Sequence, residues 1–108
     1  MTEPQATNQA EQVWVFSGSG RRYPNLPGAI FVSLARAEEW ITKIGASGML
    51  TLYPIDISVY DWALQKGFFK PKDEFQRTQA FIGTFTCAQQ QHLHYEDGTR
   101  LNGLVGEG

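Results

Sequence analysis

The stretch SLARAEEWITKIGASGMLTLYP, Ser33 to Pro54, decides the fold, because it contains a helix, a strand and the boundary between them. Ser33 is an N-cap residue, and Leu34, Ala37, Trp40, Ile41 and Ile44 recur three or four apart, which gives one apolar helical face. Arg36, Glu39 and Lys43 fall on the opposite face, where Glu39 and Lys43 form an i,i+4 pair worth about 0.3 kcal/mol. Gly45 stops the helix. The period then changes from 3.6 to 2. Met49, Thr51 and Tyr53 alternate with Leu50 and Leu52 until Pro54, so the spacing predicts a helix over 34–44 and a strand over 49–53.

Toward the N-terminus, Val13-Trp14-Val15-Phe16 is a β-branched and aromatic run that ends in the turn Ser17-Gly18-Ser19-Gly20. Tyr23 to Gly28, with Pro24 and Pro27, reads as an extended loop. Ala29 to Val32 is a second strand, favoured over buried helix by the flanking Gly28 and Ser33. Toward the C-terminus, Ser58 and Asp61 make a capping box with Asp in place of Glu, which opens a helix over Val59 to Lys66 that stops at Gly67. Val59, Trp62 and Ala63 make its buried face, and Phe68 packs as the chain leaves. Lys70 to Gln79 is a polar loop. Phe81 to Cys87 alternates, with Phe81, Gly83, Phe85 and Cys87 on one side, and reads as the last strand. His92 to Leu101 reads equally as a hairpin turning at Asp97-Gly98 or as coil.

The order is β-β-α-β-α-β, an α+β domain whose mostly antiparallel sheet is covered on one face by two helices. The strands on either side of the first helix are expected to be parallel, joined by a right-handed crossover. Residues 1–12 are polar and read as a disordered arm, and 102–108 as a flexible tail, which leaves one domain over 13–101.

Composition narrows the function classes. A chain of 108 residues has room for one domain, and burying roughly 65% of its unfolded surface supports one modest core. The 42% apolar and 13% aromatic content supplies that core. A net charge of −2 with scattered Lys and Arg gives no basic stripe for nucleic acid. There is neither a polybasic amphipathic helix nor an apolar run of about 20 residues, so no membrane role is expected. The polar start carries no secretory h-region, and the lone Cys87 fits a reducing compartment, so the cytoplasm is the expected location.

The chemical candidates are few. If His92 to Glu96 is extended, His92, His94 and Glu96 share one face and offer two imidazoles and a carboxylate to a divalent metal. The plain alternative is a polar, half-exposed segment. Gly18 to Arg22 carries positive charge but leads into prolines rather than a helix N-terminus, so it reads as a turn and not a phosphate loop. Cys87, beside Phe85 by alternation, reads as a buried, inert thiol. Glu38-Glu39 and Asp73-Glu74 read as solvated charge. No enzyme activity and no cofactor are expected. The densest unusual stretch is Tyr53 to Ala63. Its aromatics can be core, but Tyr53, Asp56, Tyr60 and Asp61 are costly to bury together, and an acidic, aromatic corner suits a protein partner.

Val13 to Phe16, Ala37 to Ile41, Gly48 to Pro54, Val59 to Ala63, Gly67 to Lys72 and His94 to Gly98 together resemble a family of small bacterial proteins of unknown function. The resemblance spans about Val13 to Gly98 and implies a stand-alone domain, with no activity or catalytic residues to carry across. Small size and an aromatic, acidic surface are also similar to those of immunity proteins that neutralise toxins. Three functional readings follow. The favoured one is a non-enzymatic protein-binding module using Tyr53, Asp56, Tyr60 and Asp61. The second is a metal-binding protein or metal-dependent enzyme using His92, His94 and Glu96. The third is a homo-oligomer paired through a sheet edge.

Overall fold

The computed structural model describes residues 12–20, 26–101 and 103. The expected arm up to residue 11, the basic pair Arg21 and Arg22, and most of the expected tail lie outside the described residues. Five strands form one sheet: β1 (Gln12–Gly18), β2 (Pro27–Phe31), β3 (Gly48–Pro54), β4 (His92–Glu96) and β5 (Thr99–Arg100). Their spatial order is β2-β1-β3-β4-β5, with every neighbouring pair antiparallel. The helices are α1 (Leu34–Ile44), α2 (Val59–Lys66) and the short α3 (Gln79–Gly83), preceded by a 3-10 turn at Phe75–Arg77. The chain is thus α+β.

Local chemistry sets the ends of the first two helices. The Ser33 hydroxyl accepts from the Arg36 amide at 3.2 Å, and Gly45 closes α1 at φ 67°. The Ser58 hydroxyl accepts from the Asp61 amide at 2.9 Å and donates to the Asp61 carboxylate at 3.0 Å, and Gly67 closes α2 at φ 78°. The strands on either side of α1 do run in the same direction, since both are antiparallel to β1. They are not neighbours, however, because β1 lies between them. Gly48 is required where β3 begins. At φ 154°, a Cβ there would overlap the Ser17 carbonyl oxygen on β1.

The main core lies between α1 and one face of the sheet. Trp14, Phe16, Leu50, Leu93 and Tyr95 meet Ala37 and Ile41, with Leu34, Trp40, Phe31 and Leu52 packed around them. The Trp40 ring stands edge-on to Phe16, with centroids 5.4 Å apart. Ile44, in line with these residues on the helix, is 55% exposed at its end.

The second helix does not join that core. Tyr60, Trp62 and Ala63 of α2 are buried in a separate aromatic cluster, in which Tyr60 lies 5.6 Å from Phe69 and from Phe85, and Trp62 lies 5.5 Å from Phe68. α2 meets the sheet at β3, and its buried residues pack in a second cluster after the bend that follows that strand.

This cluster also corrects the reading of Phe81 to Cys87. That segment is not a strand: residues up to Gly83 close α3, Thr84 is a turn, and Phe85 to Cys87 are irregular. Thr78 caps α3 by accepting from the Phe81 amide at 3.3 Å, and the Thr84 hydroxyl donates to the Ala80 carbonyl at 2.9 Å. Phe81 and Phe85, four residues apart, then stand together, with centroids 5.7 Å apart, beside Tyr60. The last strands come instead from 92–100, which resolves the open choice in favour of a hairpin. Its turn has positive φ at both central residues, Asp97 at 50° and Gly98 at 83°, as a tight hairpin turn requires.

Candidate functional site

The corner between β3 and α2 holds the four residues singled out in the sequence, but it does not present them together. Tyr53, on the sheet face opposite α1, is half-buried. Asp56 is exposed in the bend and held at φ 64°, in the left-handed region that Asp tolerates better than most residues. Asp61 is exposed in the first turn of α2, where its carboxylate accepts from Ser58 and faces the positive end of the helix. Tyr60 points inward. It is 6% exposed, and its hydroxyl donates to the Gln76 carbonyl at 2.9 Å, tying the 70–78 loop to α2. The surface corner is thus Tyr53, Asp56 and Asp61, with Tyr60 as the anchor beneath it.

Beside Tyr53 lies a groove of about 340 Å³, lined by Met49, Thr51, Thr86, Cys87, Gln90 and His92 among others. Strand pairing explains the lining. Thr51 stands opposite His92, and Met49 and Tyr53 lie two residues either side of Thr51 on the same face. Gln90, 2% exposed, fixes the far wall. Its side-chain oxygen accepts from the Cys87 amide at 3.0 Å, and its amide nitrogen donates to the Leu52 carbonyl at 3.1 Å. The Gln90 carbonyl lies 2.7 Å from Nδ1 of His92. A carbonyl only accepts, so Nδ1 carries the hydrogen, and in the neutral ring Nε2 keeps the lone pair. Cys87 is half-buried on this wall rather than sealed inside a strand face.

The sequence-based metal trio is not gathered. The His92 and His94 rings meet edge to face, 5.3 Å between centroids. Among the described residues, no group of three or more His, Cys, Asp and Glu side chains is placed to hold a metal ion. Nor is any helix among them long and apolar enough to cross a membrane.

A family model described as "Domain of unknown function (DUF7710)" matches residues 13–101. The chain belongs to the DUF7710 family. The expectation of an uncharacterised family is therefore met, and the match brings no assigned function. No curated protein and no solved structure matches the chain.

One cluster of this DUF7710 domain corrects the reading of Glu38 as solvated charge. Glu38 of α1 accepts from the Tyr95 hydroxyl at 2.6 Å and from Nε of Arg100 at 2.8 Å, joining the helix to β4 and β5. Burial pulls the Glu38 carboxyl upward, but the hydrogen bonds from Tyr95 and Arg100 and the Arg100 charge outweigh it and hold it below the ordinary value. Burial, then the hydrogen bond to Glu38, pushes the Tyr95 phenol up. The hairpin tip is pinned as well: the Gly98 amide donates to the Ala46 carbonyl at 2.8 Å and the Asp97 amide to the Ser47 hydroxyl at 2.9 Å. Glu38 lies 57 and 62 positions from its two partners, so no local pattern marks it. Its role is architectural.

Proposed function

We propose that this DUF7710 domain is a non-enzymatic protein-binding module of the cytoplasm, and that Tyr53, Asp56 and Asp61 form its contact surface. The observation that supports this reading is the way the corner is built. An aromatic edge and two exposed carboxylates are set on a rigid base, with Asp56 in a conformation few side chains adopt and α2 locked by its capping box and by buried Tyr60. A rigid, acidic, aromatic patch loses little entropy on docking and suits a partner with a basic surface. That is the pattern of an immunity-like protein, and a reducing cytoplasm suits a chain whose one cysteine is a free thiol.

The test is affinity capture from the parent cells with the native chain, with the pair Tyr53→Ala and Asp56→Lys, and with Lys43→Glu on the outer face of α1. The reading expects a defined protein to be retained by the native chain and Lys43→Glu and lost from the corner variant. Equal retention by all three would refute it.

Self-association through β2 is a second reading. Ile30 and Val32 at that sheet edge are 66% and 70% exposed, with Leu26 at 58% just before it. Size-exclusion chromatography with light scattering decides it: a monomer at high micromolar concentration ends this reading.

A further inference from the structure

We propose that the groove beside Tyr53 is a copper(I) site whose three donors are the Cys87 thiolate, the Met49 thioether and Nε2 of His92. All three residues line the same groove, and they come from three separate segments: β3, the stretch before β4, and β4 itself. Met49 lies diagonally across the strand pair from His92 on the same sheet face, a separation that a long, unbranched side chain spans.

The imidazole is already oriented for such a role. Its Nδ1–H is held by the Gln90 carbonyl, which leaves Nε2 as the donor; metal-bound histidines are usually fixed in this way. The same residue holds the backbone that carries the thiol: the Gln90 side chain accepts from the Cys87 amide, and the Gln90 amide donates to the Cys87 carbonyl at 3.0 Å. One buried glutamine thus holds the His92 ring and the Cys87 backbone. Cys87 is half-buried, which keeps it within reach of an incoming ion.

The donor set selects the metal. Thiolate, thioether and imidazole together are soft, and soft sulfur ligands favour copper(I), whereas zinc sites are built from thiolate, imidazole and carboxylate without a thioether. This constellation differs from His92, His94 and Glu96 and includes no carboxylate. Binding releases the Cys87 thiol proton to solvent and changes no oxidation state. The inference does not rest on the protein-binding reading.

The test is anaerobic titration of the reduced full chain with copper(I) delivered from a chromophoric chelator, followed by X-ray absorption at the copper edge. The expected result is one copper per chain with two sulfur neighbours and one nitrogen neighbour. Cys87→Ser should abolish binding. Met49→Leu and His92→Gln should each weaken it by ~10-fold or more, on the scale that disturbed metal sites show. Glu96→Gln should leave it unchanged. Circular dichroism and melting of each variant establish that it is folded, which is expected for Cys87→Ser because the bonds to Gln90 are made by the Cys87 backbone. Failure of the native chain to compete for copper(I) would overturn the proposal. So would binding that depends on Cys87 but is indifferent to Met49 and His92.

Discussion

Truncating Tyr60 tests whether the corner has a buried anchor. The ring is 6% exposed and sits among Phe69, Phe81 and Phe85 at centroid distances of 5.6, 6.2 and 5.6 Å. Removing a buried aromatic ring typically costs about 3–5 kcal/mol, through lost transfer energy and the cavity left behind. The hydroxyl bond to the Gln76 carbonyl adds about 1 kcal/mol. Tyr60→Phe isolates that smaller part, and a loss of about 1 kcal/mol in a domain of this size lowers Tm by about 4–8 °C. Tyr60→Ala should cost about 4 kcal/mol, a large share of the roughly 5–15 kcal/mol that holds a small domain together. The assay is urea unfolding followed by tryptophan fluorescence. Trp62 reports on the α2 cluster, and Trp14 and Trp40 report on the sheet core. Ile30→Ala, at a side chain 66% exposed, is the control and should change stability by no more than about 0.5 kcal/mol. If Tyr60→Ala cost under about 1 kcal/mol, Tyr60 would belong on the surface with Asp56, and the anchoring of the corner would be wrong.

The Glu38 cluster predicts an acid limb. Its carboxyl is held below the ordinary value, so its contribution to stability is complete above about pH 4.3, the unfolded-state value, and is lost as pH falls through the lower folded-state value; Glu38→Gln should flatten that part of a Tm-against-pH curve, and an unchanged curve would contradict the bonding described. Tyr95 has the opposite sign. Its raised value means that the neutral phenol is favoured in the fold, so its contribution is complete below about pH 10 and is lost as pH climbs above that, which Tyr95→Phe should abolish in alkaline melts. Gly48→Ala should drive the chain out of solution or unfold it, because the added Cβ meets the Ser17 backbone rather than a movable side chain; a soluble variant melting within a few degrees of the native chain would show that β1 and β3 do not approach as described.

What could be read from the sequence followed the range of the forces involved. The ends of α1 and α2 were legible to the residue because capping hydroxyls and left-handed glycines act within one turn. The alternation of β3 was legible for the same reason. Residues 81–87 were misread because Phe81, Phe85 and the threonines fit a period of 2, while the signal for α3 was a single threonine cap at Thr78. Contacts with Tyr60 and Phe69 settled the matter, and those are tertiary. Tyr60 itself was placed on the wrong side of α2. Trp62 and Ala63 define a buried face that either Val59 or Tyr60 extends, and only the aromatic cluster chooses between them. At the candidate site, Asp56 and Asp61 were legible as exposed acids, whereas Tyr53 is half-buried. The groove was not legible, since Cys87, Gln90 and His92 come to line one groove with Met49 only after the 84–91 segment folds onto the sheet.

The most direct measurement places a photo-crosslinking amino acid at position 56 or, separately, at position 43 on the outer face of α1, in the parent cells. A discrete adduct with another protein is expected from position 56 and none from position 43. No adduct at position 56, or the same adduct at both positions, would contradict the proposed contact surface.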